Sequence, residues 1–366
     1  MKRRTLFKLA GIGALGLAMP LVAKESQNTK AGQAHSKKRE FSVSLKHNIL
    51  ESGKCRLWIP LPSSTPYQFL TSNLALSGNY SNAYISNTQI PTLFAEFDKV
   101  KNPSLEIQFD ITTYERTTDF KEVQAKFNKN AKIPQEVKPY LAATEHIQTD
   151  GIVKTTAKEI LKNANVQNAN DCQKAKAIFE WVARNMQRDE SILGCGTGDA
   201  KAILESKKLY GKCTDISSVF VALCRSVGIP AREIFGIRLG QSRFSNAMGS
   251  AKDKVANITG GQHCRAEFYV RGYGWIPCDP GDVAKVKLSE KLGDDDTKIR
   301  SLREYLFGSW EMCWLGYNTA RDFILTPTPA ETPLNNFGYP YGEVEDNVLD
   351  YYDAKGFSYS YTSVEK

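Results

Sequence analysis

Short runs that alternate apolar and polar residues fill the chain from Phe41 to about Arg116, as in Phe41–Leu45, Cys55–Ile59 and Leu105–Phe109. Clusters of Gly, Pro, Asn and Ser break them. A period of two with frequent turn residues predicts a small antiparallel β domain, sandwich-like, over residues 41–118. A polar link containing Pro134 and Pro139 follows, and the period then becomes helical. Ile152–Ala164 and Asp171–Met186 place apolar residues three to four apart, the second through Ala175, Ile178, Phe179 and Val182. A third helix is expected from Cys213 to about Val227, with Ile216, Val219, Phe220 and Leu223 on its apolar stripe. Gly228 and Pro230 stop it. Strand-like segments come next at Arg232–Leu239, His263–Val270 and Trp275–Cys278. Helices first and strands afterwards make residues 140–290 an α+β domain. Residues 291–366 are aromatic and Pro-rich without a clear period, and are expected as an irregular extension in which Asp294–Asp296 is a solvated turn.

The first 23 residues read differently. A basic start precedes some fifteen small and apolar residues, Leu9 to Ala23, too few for a bilayer-spanning helix of about 20 residues. A cleaved export signal is expected, followed by a flexible leader over 24–40. Arg3-Arg4-Thr5 and Lys8 resemble the twin-arginine signal, which carries folded proteins across a bacterial inner membrane. The cut falls after Ala23 or near Gly32-Gln33-Ala34, and an uncleaved anchor is the alternative. The expected location is periplasmic or secreted, with no stable membrane span once the signal is removed.

Of 366 residues, 41% are apolar and 24% charged, which makes the chain globular. Four of the positives behind its net charge of +8 lie in the first eight residues, and no polybasic run remains elsewhere. A dedicated nucleic-acid role is thereby disfavoured. Eight cysteines without a Cys-x-x-Cys pair carry no zinc or thioredoxin signature. No cofactor and no metal are expected.

Of four histidines, only His263 stands inside a strand-like run of the α+β domain. A thiol nucleophile needs a base within hydrogen-bond reach, and that base needs an acceptor to orient it. Cys213 opens the third helix directly after Gly211-Lys212, where backbone N–H groups and the helix dipole favour thiolate and can receive an oxyanion. Lys212 helps and Asp215 opposes. Standing alone, such a cysteine is more often a small buried residue. His263 and Asp279 change that reading, because their runs flank the turn signal Arg271–Gly274 and should form a hairpin. A three-residue turn around Gly272, or a five-residue one, is expected to set His263 opposite Asp279 on one face, with Cys264 opposite Cys278 on the other. After export that second pair could close a disulfide. Glu267 and Trp275 share the face of His263, where Trp275 is either a shield for the dyad or a core aromatic. Arg225 and Arg232 are expected in solvated or C-cap roles.

Gly211-Lys212-Cys213-Thr214-Asp215, then Leu223 to Arg232, then His263, then Gly274 to Pro280, resemble the core of the transglutaminase-like superfamily, with its papain-like Cys-His-Asp arrangement. The resemblance covers about residues 140–290. It implies Cys213 as nucleophile, His263 as general base and acid, and Asp279 as orienting carboxylate. It also implies an exported thiol enzyme that attacks amide bonds of a protein or peptide through an acyl thioester, a peptidase or amidase. Amine transfer by a transglutaminase, and a non-catalytic cell-envelope binding protein, are the alternatives. No second oxyanion donor stands out. The Gly-rich stretch Gly194–Asp199 is the weak candidate, and there is no acidic loop of the calcium-binding kind.

Overall fold

The structure is a computed structural model that describes residues 37–51 and 53–366, and of the first 36 only the backbone of Leu9–Ala10 and Leu17–Met19. The expectations for the signal segment 1–23 and for the leader up to residue 36 lie outside the described residues.

Six strands come first: β1 (Lys38–Asn48), β2 (Cys55–Pro60), β3 (Leu74–Gly78), β4 (Asn82–Asn87), β5 (Thr92–Phe97) and β6 (Ser104–Tyr114). Their alternation sends Phe41, Val43, Leu45, Leu105, Ile107 and Phe109 inward, between two packed antiparallel sheets. Helices then follow: α1 (Phe120–Lys126), α2 (Gly151–Asn163), α3 (Asp171–Asn185), α4 (Ala200–Ser206) and α5 (Cys213–Ser226). Asn170 and Gln173 close a capping box at the start of α3. The strands β7 (Ala231–Arg238), β8 (Gln262–Val270) and β9 (Gly274–Cys278) come next, and then helices α6 (Pro280–Glu290) and α7 (Thr297–Leu306). The α+β order expected for residues 140–290 is the observed one.

Helix α5 departs from its amphipathic reading. Every residue from Cys213 to Arg225 is buried, because α2, α3, α4 and α6 surround it and β7 and β8 cover the remaining side. The small side chains of Ser217, Ser218 and Ala222 let these neighbours approach on faces that a surface helix would give to solvent. Phe220 lies in this core against Phe179 and Phe268. Truncating it to Ala would cost about 3–5 kcal/mol.

The aromatic extension carries elements that its pattern does not announce. Strand β10 (Trp314–Asn318) pairs with β7 and completes the core sheet in the order β9-β8-β7-β10. Strand β11 (Tyr341–Val344) joins one sandwich sheet beside β2, giving β4-β5-β2-β11. Strand β12 (Tyr359–Glu365) joins the other beside β1 along seven residue pairs. A short strand, Val255–Asn257, from the β7–β8 connection adds to β12. Ile237, Leu239, Leu315 and Tyr317 of the core sheet point into the sandwich interior, so the two regions share one apolar cluster. Asp296, from the expected solvated turn, caps α7.

His47 is enclosed between the sandwich sheets by Phe357, Tyr359 and Tyr361, with its Nε2 3.0 Å from the Tyr361 hydroxyl. Burial pushes its pKa from 6.5 down to about 3. The unfolded chain therefore takes up a proton below pH 6.5 that the folded chain refuses until about pH 3. Stability is lost as pH falls through that window, at roughly 1.4 kcal/mol per pH unit once well inside it. Urea unfolding of His47→Gln should show a shallower loss between pH 6 and pH 4 than the parent, and an equal slope would remove His47 as the cause.

Candidate active site

Three elements converge at the N-terminus of α5. Cys213 is its first residue, His263 lies at the start of β8, and Asp279 is the N-cap of α6. All three are at most 4% exposed. His263 Nε2 stands 2.8 Å from Asp279 Oδ2. The other oxygen, Oδ1, accepts the Asp282 N–H at 2.9 Å, the capping bond of α6, and Pro280 at the first helical position needs no donor there. The Asp279 N–H in turn donates to Leu306 O at 3.0 Å. Its carboxylate is thus held from both sides. Cys213 packs in one cluster with Cys195 and Cys264 at this point.

The hairpin register differs from the expected one by two residues. The turn is Arg271-Gly272-Tyr273, Val270 faces Gly274, and Ala266, not Cys264, faces Cys278. Gly272 sits at its centre with φ +86°, and a Cβ there would strike Lys126 O, so the turn requires glycine. A shift of two keeps the faces, so His263 and Asp279 remain on the same side and meet diagonally. The Cys264–Cys278 pairing does not occur, and the eight cysteines are all free. Cys264 Sγ reaches Thr214 Oγ1 at 3.6 Å beside the nucleophile, while Cys278 belongs to the apolar core with Cys224.

The weak oxyanion candidate, Gly194–Asp199, does fold against Cys213, but two of its three glycine amides are committed. Gly196 N–H donates to Leu193 O and Gly198 N–H to Asp215 Oδ1. Asp215 also accepts the Lys212 N–H at 2.8 Å, so it ties this loop to the helix start. Gly196 has φ +89°, and any Cβ would overlap the Asp215 carboxylate. The loop delivers the Cys195 thiol to Cys213, and Thr214 N–H donates to Cys195 O at 2.9 Å. The Cys213 N–H has no partner among the described residues.

Several neighbours escaped the sequence reading. Asp282 lies 3.5 Å from His263 Nε2 and takes a forked pair of bonds from Arg238, at 2.5 and 3.1 Å. Its signal was available in the pattern, as an acidic residue in the first turn after a capping Asp. The indole N–H of Trp314 donates to His263 O at 2.9 Å. Trp275 does not shield the dyad, because its ring stacks under Arg232, 4.1 Å away, and meets Tyr140 edge-on. Arg232 and Arg225 are not solvated. Arg232 pairs with buried Glu267, which Arg116 also binds, and Arg225 donates to Ala231 O and Ala142 O across the helix stop.

The charges follow from this packing. The Cys195 and Cys264 thiols, with His263, favour a thiolate at Cys213 more than burial opposes it, and its pKa falls well below the ordinary thiol value. Burial and Arg238 push His263 down, but Asp282 and Asp279 outweigh them and hold it above its usual value. Burial and the neighbouring Asp282 raise Asp279. Burial also disfavours charge on Asp282, yet Arg238 overrides it and keeps that carboxyl far below its usual range.

A buried thiol at a helix start thus stands beside an imidazole–carboxylate pair. The transglutaminase-like superfamily profile matches residues 154–280, which span α2 to the start of α6. A Haemophilus influenzae protein described only as uncharacterized is 46% identical over 323 residues, 85% of this chain and 86% of that one. The chain belongs to the transglutaminase-like superfamily. Among solved structures, a candidate cysteine protease from Cytophaga hutchinsonii overlaps 90% of this chain and 99% of its own, at 15% identity and a TM-score of 0.49. The periplasmic domain of TgpA from Pseudomonas aeruginosa overlaps 72% and 92%, at 12% identity and a TM-score of 0.33.

The thiolate environment has a direct readout. Iodoacetamide should label Cys213 with a half-point well below the ordinary thiol value of about 8.5, and His263→Ala should move that half-point up. Burial raises Cys172 to about 11, so it serves as the internal control and stays unlabelled near neutral pH.

Proposed function

We propose that the chain is an exported thiol hydrolase that cleaves an amide bond in a protein or peptide. The carrying observation is the 2.8 Å His263–Asp279 pair set beside Cys213 at the first turn of α5. In this reading the Cys213 thiolate attacks the carbonyl carbon, and the developing oxyanion is received by the unpartnered Cys213 N–H and the dipole of α5. His263, protonated, gives its proton to the leaving amine as the C–N bond breaks. The acyl group stays on sulfur as a thioester. Water then attacks, His263 takes its proton, and the acid leaves with the thiol restored. Asp279 fixes the His263 tautomer and stabilises the imidazolium through both stages.

Hydrolysis is preferred over amine transfer because water cleaves an acyl thioester unless the site excludes it, and the small cavity beside His263 is lined by the polar groups of Gln262, Asn336 and Tyr339. No described helix is long and apolar enough to cross a membrane. The twin-arginine pattern of the first eight residues supports export of the folded chain.

Incubation of a Gln-containing peptide with a labelled primary amine separates the readings. Release of free acid or of a shortened peptide supports hydrolysis, whereas incorporation of the label makes the chain a transglutaminase. Neither product, together with uniform slow alkylation of all thiols, would leave a binding protein. With a cleaved peptide in hand, Cys213→Ser should lower turnover at least about 10³-fold and Asp279→Asn by about 10²–10⁴-fold. Circular dichroism should remain unchanged for the Ser variant.

A further inference from the structure

One side of Cys213 is built from positive charge. Helix α6 starts hard against α5, and a Cβ on Gly281 would touch the Cys213 Cα at 3.4 Å and its Cβ at 3.6 Å. Lys285 lies four residues along, on the same face one helical turn further. The pair Gln187–Arg188, packed on α6, runs parallel to Tyr210–Gly211 and sets Arg188 beside Gly211, two residues before the nucleophile. Lys212 follows. Among the described residues, the local carboxylates leave one of these three cations, Lys285, without a partner. Glu190 is shared, 2.6 Å from Arg188 and 3.5 Å from Lys212. The Asp189 carboxylate is taken by the Ser191 N–H at 2.9 Å and its hydroxyl at 2.6 Å. Asp282 is spent on Arg238. Lys285, partly buried, has no carboxylate within 4 Å among the described residues.

Resting on the hydrolase reading above, we propose that Lys285 and Arg188 form an anion subsite that holds a substrate carboxylate next to the amide attacked by Cys213. Lys285, partly buried without a carboxylate of its own, loses hydration beside the cations Arg188 and Arg238, and a carboxylate docked against it relieves that cost. Burial first, then Arg238 and Arg188, depress the Lys285 ammonium to about 8, in keeping with a cation that lacks its counter-charge. Lys285 offers a point charge, and Arg188, forked on Glu190 at 2.6 and 3.2 Å, keeps Nη1 for a further bond, so the pair suits a carboxylate better than a neutral amide. Substrates with an acidic residue or a free carboxylate close to the scissile bond are the class this rim selects.

Small alkylating reagents test the subsite without knowledge of the substrate. Iodoacetate and iodoacetamide differ in charge and react through the same thiolate, so any change in the thiol pKa cancels in the ratio of their rates. That ratio at Cys213 of the full chain, read by mass spectrometry, should exceed the ratio for free glutathione by about tenfold at low salt, and shrink as salt is raised. Lys285→Met and Arg188→Gln should return it toward the glutathione value, and Lys285→Arg should restore it. A ratio equal to that of glutathione, or one untouched by Lys285→Met, overturns the subsite. If iodoacetamide still labels Cys213 selectively and in a His263-dependent way, that failure leaves the hydrolase reading standing. No selective labelling of Cys213 by either reagent removes both.

Discussion

Two carboxylates, Asp279 and Asp282, are wholly buried three residues apart at the start of α6. Such a pair would repel itself and lose the stability that water gives it, so it exists only because charge of the opposite sign meets it from other strands. Arg238 of β7 clasps Asp282, and His263 of β8 stands against both acids. The array fixes the start of α6 relative to two strands of the core sheet. The same contact that settles the charges positions Asp279 toward the imidazole. Structural need and chemical poise cannot be separated here, because Asp279 and Asp282 both incline His263 to hold a proton while Arg238, which secures Asp282, opposes them.

The sulfur side is organised just as tightly. Cys213 is the first residue of a helix buried on all sides, and the loop before that helix is pinned by Asp215. Two further thiols lie on Cys213, one from that loop and one from β8. Their S–H groups act as weak donors to a thiolate. Anion stabilisation at this site is therefore distributed over sulfur, imidazole and backbone.

The sandwich, the helical order and the core hairpin were legible in the sequence because each has a local period and a local stop signal. Cys213, His263 and Asp279 were legible as a group because helix start, strand and cap are all marked by their own neighbours. The register slipped by two because a turn centred on Gly272, as expected and as found, pairs Val270 with Gly274 and so sets His263 diagonal to Asp279 rather than opposite it. The strands of the tail were not legible. Tyr341–Val344 and Tyr359–Glu365 find their partners in β2 and β1, and no local pattern can announce a partner that lies across the chain. Cys195 escaped for the same reason, since only the folded loop brings it to Cys213. The buried arginines were misread because nothing at the level of composition tells a paired guanidinium from a solvated one.

The pairing of β1 with β12 joins residues as far apart as His47 and Tyr361, 314 positions along the chain. Closing so large a loop is slow and gives nothing until both ends are present. The sandwich therefore cannot close until β12 has been made. In a chain exported folded, as proposed above, a copy that stops before β12 lacks an inner strand of one sheet and presents an unpaired edge instead of the closed sandwich.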